Sequence, residues 1–248
     1  MVASESMLAE NVQFEGQGGD LISGYLARPL GAGPFPGVIV IHEVFGLVTH
    51  IKEITRKMAA HGYAALAPDL HHREGPGDPE DVAAAVRAAG GNPDARTVGD
   101  VAGAADLLRG LPYTNGKVGV IGYCSGGRQT YVVACNVPGL NAAVDCYGGR
   151  VVVAPTDLNE RQPTAPIDMT EGLGCPLLGL FGAEDANPSP EQVAQIEQEL
   201  KRYGKSYELH TYENAGHGFF ADYRPSYSQE AAVDGWERVF AWFDRHLS

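Results

Sequence analysis

The chain has 248 residues, 44% of them hydrophobic and 20% charged, a soluble globular composition with enough length for one sizeable core. Its 18 basic and 31 acidic side chains leave a net charge of −13, which argues against nucleic acid or an anionic membrane surface as a partner. No apolar run approaches the roughly 20 residues needed to span a bilayer. The segment Met1–Ser6 lacks both a basic cap and an apolar stretch, so no secretory signal is expected. Cys124, Cys135, Cys146 and Cys175 show no metal-ligand spacing and read as free thiols, for which a reducing cytoplasm is the expected setting.

Two short strands, Asn11 to Glu15 and Leu21 to Ala27, flank the turn Gly16-Gln17-Gly18-Gly19-Asp20 and predict an opening hairpin. Val38 to Ile41 is a compact β-branched run and predicts a buried strand. Thr49 to His61 carries Ile51, Ile54 and Met58 at helical spacing and ends at Gly62. A strand is predicted over Tyr63 to Ala67, then helices over Val82 to Ala89 and Ala95 to Arg109. The run Lys117 to Ile121 leads into a helix from Ser125 towards Asn136. Further strands are predicted at Asn141 to Cys146, Leu177 to Phe181 and Ser206 to Thr211, with helices at Pro190 to Tyr203 and Gln229 to Leu247. From Val38 onward strands alternate with helices. That pattern predicts an α/β fold with a mostly parallel, doubly wound sheet behind an N-terminal antiparallel hairpin. Residues 1–248 read as a single domain.

Gly122-Tyr123-Cys124-Ser125-Gly126 follows the strand run directly. A Gly-x-nucleophile-x-Gly pentapeptide after a strand marks a sharp strand-to-helix turn that lifts one side chain into the open. A thiol there predicts acyl transfer through a thioester. Asp185 and His217 fall just after the later strands, where a doubly wound sheet places its site. His217 would move the thiol proton and Asp185 would orient the imidazole, with Glu184 as its rival and Asp145 as a weaker acid candidate. The order nucleophile, acid, histidine is that of the α/β-hydrolases. The backbone N–H groups of Ser125 and Val44 are predicted to form the oxyanion hole. His50, His61, His71 and His72 read as surface or loop residues.

Gly122 to Gly127, His42-Glu43-Val44-Phe45-Gly46-Leu47, Ala67-Pro68-Asp69-Leu70 with Arg73, and Gly216-His217-Gly218-Phe219 through Arg224-Pro225 together resemble the dienelactone hydrolases (carboxymethylenebutenolidases). The resemblance spans nearly the whole chain. It implies an α/β-hydrolase fold, a triad of Cys124, His217 and Asp185, and a glutamate, Glu43, that helps activate the thiol. A structural ion pair is the other reading of Glu43. The resemblance implies a substrate carboxylate on Arg73. The family's second arginine, four residues after the histidine, is here Ala221, with Arg224 as a possible substitute. Phe45, Tyr123 and Phe219, with Phe220 and Tyr147, are expected to wall the substrate pocket. The expected substrate is a small ester or lactone, with or without a carboxylate, cleaved without metal or organic cofactor by a monomer or small homo-oligomer. A related hydrolase of thioesters, epoxides or carbon–halogen bonds, and a thiol redox sensor or ligand-binding module, are the alternatives. The loop Arg150 to Gly174 is expected to cover part of the site.

Overall fold

The computed structural model describes residues 6–248; the rest of the N-terminal segment read above for a secretory signal lies outside the described residues. β1 (Met7–Glu15) and β2 (Leu21–Pro29) form the expected hairpin, each two to four residues longer than the sequence suggests. The parallel strands follow as β3 (Phe35–Ile41), β4 (Ala64–Pro68), β5 (Thr114–Tyr123), β6 (Ala142–Cys146), β7 (Leu177–Gly182) and β8 (Tyr207–Tyr212). They make one eight-stranded sheet in the order β1-β2-β4-β3-β5-β6-β7-β8, in which only the β1–β2 and β2–β4 pairs are antiparallel.

The central strands are apolar along their length because helices cover both faces of the sheet. Successive residues point to opposite sides, so Ile39 and Ile41 enter one core while Val38 and Val40 enter the other. The first core is closed by α3 (Asp94–Gly110), α4 (Ser125–Asn136) and α5 (Pro190–Arg202). The second is closed by α1 (Thr49–Ala60) and α6 (Gln229–Leu247), which contributes Val239, Trp242, Phe243 and Leu247. Among the described residues, no helix is long and apolar enough to cross a membrane.

α2 (Pro79–Ala88) begins three residues before the expected Val82, because Asp78 caps it by accepting the Glu80 N–H at 2.9 Å. In α5, Ser189 and Gln192 cap each other reciprocally, through bonds of 3.3 and 2.9 Å. The loop from 150 to 174 contains two short 3-10 turns, Pro155–Asp157 and Pro166–Gly172.

Candidate active site

Cys124 lies at the carboxyl end of β5, between that strand and α4, and its backbone is strained: φ is 56° and ψ is −119°. The glycines around it answer a packing constraint. A Cβ on Gly126 would lie 2.5 Å from the Ile41 carbonyl oxygen of the neighbouring strand, and one on Gly122 would collide with the Gly126 carbonyl. The turn therefore presses against β3 and raises the thiol into a cavity of about 680 Å³.

His217 lies in the loop after β8, and its Nδ1 is 2.7 Å from Oδ2 of the buried Asp185, which follows β7. The other carboxylate oxygen accepts the Asn187 N–H at 2.9 Å, so Asp185 is held at both ends. Glu184, the rival acid, is exposed. With Nδ1–H donating to Asp185, Nε2 is the ring nitrogen left for Cys124. Burial alone lowers the His217 pKa, but hydrogen bonds to Asp185 and Cys124, together with their charges, more than offset it and push it up to about 10. Cys124, His217 and Asp185 all line the one cavity.

Val44 and Ser125 line the same cavity, and among the described residues neither backbone N–H has a hydrogen-bond partner in the protein. The Val44 N–H is aimed by its own peptide plane. The other end of that plane is the Glu43 carbonyl, which accepts from His42 Nδ1 at 2.6 Å and from the Gly46 N–H at 3.1 Å. The Leu70 N–H donates to His42 Nε2 at 3.1 Å, which sets the tautomer so that Nδ1 carries the proton. Burial then lowers the His42 pKa and keeps the ring neutral.

Glu43 is almost fully buried, and Arg224 donates to both its oxygens at 3.0 and 3.2 Å. Burial raises the Glu43 carboxyl above its ordinary range, against the opposing pull of Arg224 and His217. Arg224 also stacks over Phe45, 5.0 Å from the ring centre.

A profile of the dienelactone hydrolase family matches residues 22–247. The chain belongs to the dienelactone hydrolase family. Among its relatives, a protein named "Putative carboxymethylenebutenolidase" from Salmonella typhimurium is 38% identical over 237 residues, covering 92% of this chain and 84% of the relative. A Bradyrhizobium protein named "Probable 2-oxo-3-(5-oxofuran-2-ylidene)propanoate lactonase" is 29% identical over 247 residues, covering 99% of this chain and 98% of the other. A crystal structure named as a putative dienelactone hydrolase, from Klebsiella pneumoniae, superposes with a TM-score of 0.89 at 35% identity, over 98% of this chain and all of that one.

For a dienelactone hydrolase, this chain departs from expectation in the residues assigned to the substrate. Arg73 does not line the cavity. Its guanidinium is taken up by Asp100 at 2.7 and 3.1 Å, by Asp20 at 2.7 Å and by the Gln17 carbonyl at 3.3 Å, a set that ties the opening hairpin to α3. Phe45, Tyr123 and Phe219 are also absent from the cavity wall, and Tyr123 and Phe219 are core residues. Tyr147 and Phe220 are buried behind the site, with the Tyr147 ring 5.2 Å from His217. Arg224 faces Glu43.

The wall instead includes residues the sequence reading passed over: Arg87 from α2, Arg128 and Gln129 from α4, and Asn187. His71, read as a surface residue, is buried in that wall, and burial with its neighbours His42 and Arg96 lowers its pKa to about 3. The loop after β6 does reach the site, through Arg150, Asp157, Asn159 and Gln162. The other three cysteines behave as apolar fillers: Cys146 is fully buried, and burial pushes the Cys135 and Cys175 thiols up to about 12.

Proposed function

We propose that this hydrolase cleaves small esters or lactones by covalent catalysis through Cys124. The observation that carries the reading is the convergence, in one cavity, of the strained Cys124, the His217–Asp185 pair at 2.7 Å and the unpartnered N–H groups of Val44 and Ser125. His217 holds the proton given up by Cys124, leaving a thiolate, the nucleophilic form of cysteine. The thiolate sulfur adds to the substrate carbonyl carbon, and the carbonyl oxygen takes the electron pair as an oxyanion between the Val44 and Ser125 N–H groups. Collapse expels the alkoxide, which takes the proton from His217 and departs as the alcohol, leaving a thioester on Cys124. In a lactone, that alcohol stays attached to the acyl group. His217, now neutral, accepts a proton from water as it attacks the thioester. The acid is released and Cys124 is restored.

Two N–H donors beside the sulfur favour a carbonyl substrate over an epoxide or carbon–halogen bond, since displacement at a saturated carbon forms no carbonyl oxyanion. A redox-sensing thiol has no need of Asp185. Glu43 serves as an auxiliary proton acceptor for the thiol, kept near the site by Arg224.

Turnover of a dienelactone and of an activated aryl ester, by the native enzyme and by Cys124→Ala, tests the reading. Loss of all turnover in the variant supports it. Full esterase activity in Cys124→Ala removes the nucleophile assignment.

A further inference from the structure

Two buried polar side chains of the cavity wall have partners within the protein. Arg128 gives both terminal nitrogens to Asp94, at 2.6 and 3.0 Å, and the Gln162 amide donates to the Asn92 carbonyl at 3.3 Å. Gln129, in the same wall, differs. It is only 5% exposed, yet its Oε1 is buried without a hydrogen-bond partner, and its Nε2 makes no hydrogen bond among the described residues. A buried side-chain amide that the protein itself does not satisfy calls for an explanation.

The position of Gln129 relative to the reaction follows from α4. Cys124 caps that helix, Ser125 opens it, and Gln129 comes four residues later. At 1.5 Å per residue, Gln129 stands about 6 Å along the axis from Ser125 and on the same helix face. The amide is thus one turn beyond an oxyanion donor, where a substituent several atoms from the reacting carbonyl would lie. The cavity, at about 680 Å³, has room for such an acyl chain.

The other unmet group in this part of the wall is also a neutral one. His71 is 5% exposed and its Nδ1 is buried without a partner. Its ring packs edge-on against His42, with centres 4.7 Å apart, and a Cβ on Gly46 would stand 3.2 Å from Nδ1. His71 therefore adjoins the loop that carries the Val44 N–H. Burial, with His42 and Arg96 nearby, disfavours its cationic form. The buried charges of the wall are already paired, Arg128 with Asp94 and Asp185 with His217. An amide and a neutral imidazole suit an uncharged oxygen, whereas an ion placed against them would lose water without gaining a counter-ion.

We propose that Gln129 is a specificity-determining residue whose amide hydrogen-bonds an uncharged oxygen (ether, hydroxyl or carbonyl) in the acyl part of the substrate, several atoms from the carbonyl that Cys124 attacks. This rests on the ester and lactone reading above and names a substrate class for it. The Gln129 N–H donates to that oxygen. A wholly apolar acyl chain in the same place leaves the amide dehydrated and unpaired, which penalises its turnover.

The test scans one oxygen along a chain of fixed length. It compares para-nitrophenyl heptanoate with the para-nitrophenyl esters of 4-ethoxybutyrate, 5-methoxypentanoate and 6-hydroxyhexanoate, in which oxygen replaces one methylene or the terminal methyl. In the native protein, kcat/KM for the best oxygen position should exceed that for heptanoate by at least roughly tenfold. Gln129→Met, similar in length and apolar, should bring that ratio to about one and raise kcat/KM for heptanoate. Its Tm should equal or exceed the native value, since the substitution removes a buried amide with no protein partner. Lack of preference for any oxygen position in the native protein overturns the proposal, and that measurement needs no variant. A ratio unchanged in Gln129→Met overturns it too, and a fall in Tm alongside that unchanged ratio would mark the amide as structural. Failure of the hydrolase reading is a separate result: no Cys124-dependent turnover of any of the four esters.

Discussion

Arg224 grips both oxygens of Glu43, a carboxylate 1% exposed, from a position where its own side chain is a quarter exposed. The pair is asymmetric. Losing Glu43 leaves a cation that still reaches water, whereas losing Arg224 strands a buried anion. Arg224→Ala is therefore expected to destabilise the fold by about 3 kcal/mol, at the low end for breaking a buried pair because Arg224 is partly solvated. Glu43→Gln in the same chain should recover most of that loss, measured by urea unfolding. If the two losses simply add, the pair is not what holds Glu43.

His42 acts through a peptide plane and touches no reacting atom. His42→Phe keeps a ring in place but removes both the bond to the Glu43 carbonyl and the acceptor for the Leu70 N–H. With the Val44 N–H no longer held, oxyanion stabilisation should weaken. We expect kcat to fall about 10- to 100-fold with KM little changed, since loss of one oxyanion donor costs roughly 100- to 1,000-fold at most. Iodoacetamide should still alkylate Cys124 within about twofold of the native rate, because that reaction forms no carbonyl oxyanion. A matching fall in alkylation would mean a collapsed site and not a misaimed N–H.

The His217 pKa, pushed up to about 10, sets the pH behaviour of the site. A folded-state pKa above the unfolded value means that the imidazolium's stabilising interactions are fully present below about pH 6.5 and are lost as pH rises through about 10. Asp185→Asn removes a charge and a hydrogen-bond acceptor that favour the proton, so the His217 titration should move down towards neutrality. NMR titration of the His217 ring reads this directly. A titration unmoved by Asp185→Asn would mean that Asp185 does not hold the proton there.

Asp145, at the end of β6, is a second pH-sensitive group, placed beneath the Cys124 turn. Its Oδ1 accepts the Gly148 N–H at 2.8 Å, while burial raises its pKa to about 7. Here the raised folded value means that stability is fullest below about pH 3.8 and is lost as pH rises through about 7, by an amount on the order of 4 kcal/mol. Asp145→Asn keeps an oxygen for Gly148 without the buried charge. The variant should gain Tm over the native protein at pH 8 and lose that advantage at pH 5. An equal difference at both pH values would contradict the titration.

The parts of this molecule readable from sequence are those dictated over short distances. The glycines around Cys124 announce the turn because a Cβ there meets backbone, whatever the rest of the fold does. Buried strands such as β3 announce themselves by apolar runs, and the order of Cys124, Asp185 and His217 follows the strands that carry them. The ion pairs that hold Arg73 outside the cavity wall have no local signal, since its partners Asp20 and Asp100 lie 53 and 27 positions away in the chain. Arg87 and Arg150 carry no periodic or motif signal. His42 stands in one of the family motifs, but its part in the site has no sequence signature because it passes through the Glu43 carbonyl.

The proposed chemistry requires that Cys124 become covalently acylated during turnover. Intact-mass measurement after rapid acid quench, with a slowly deacylated activated ester, tests it most directly. A transient mass increase equal to the acyl group is expected, mapped by peptide digestion to Cys124 and missing in Cys124→Ala. Hydrolysis at the native rate by Cys124→Ala, or an adduct mapped to another residue, would contradict it.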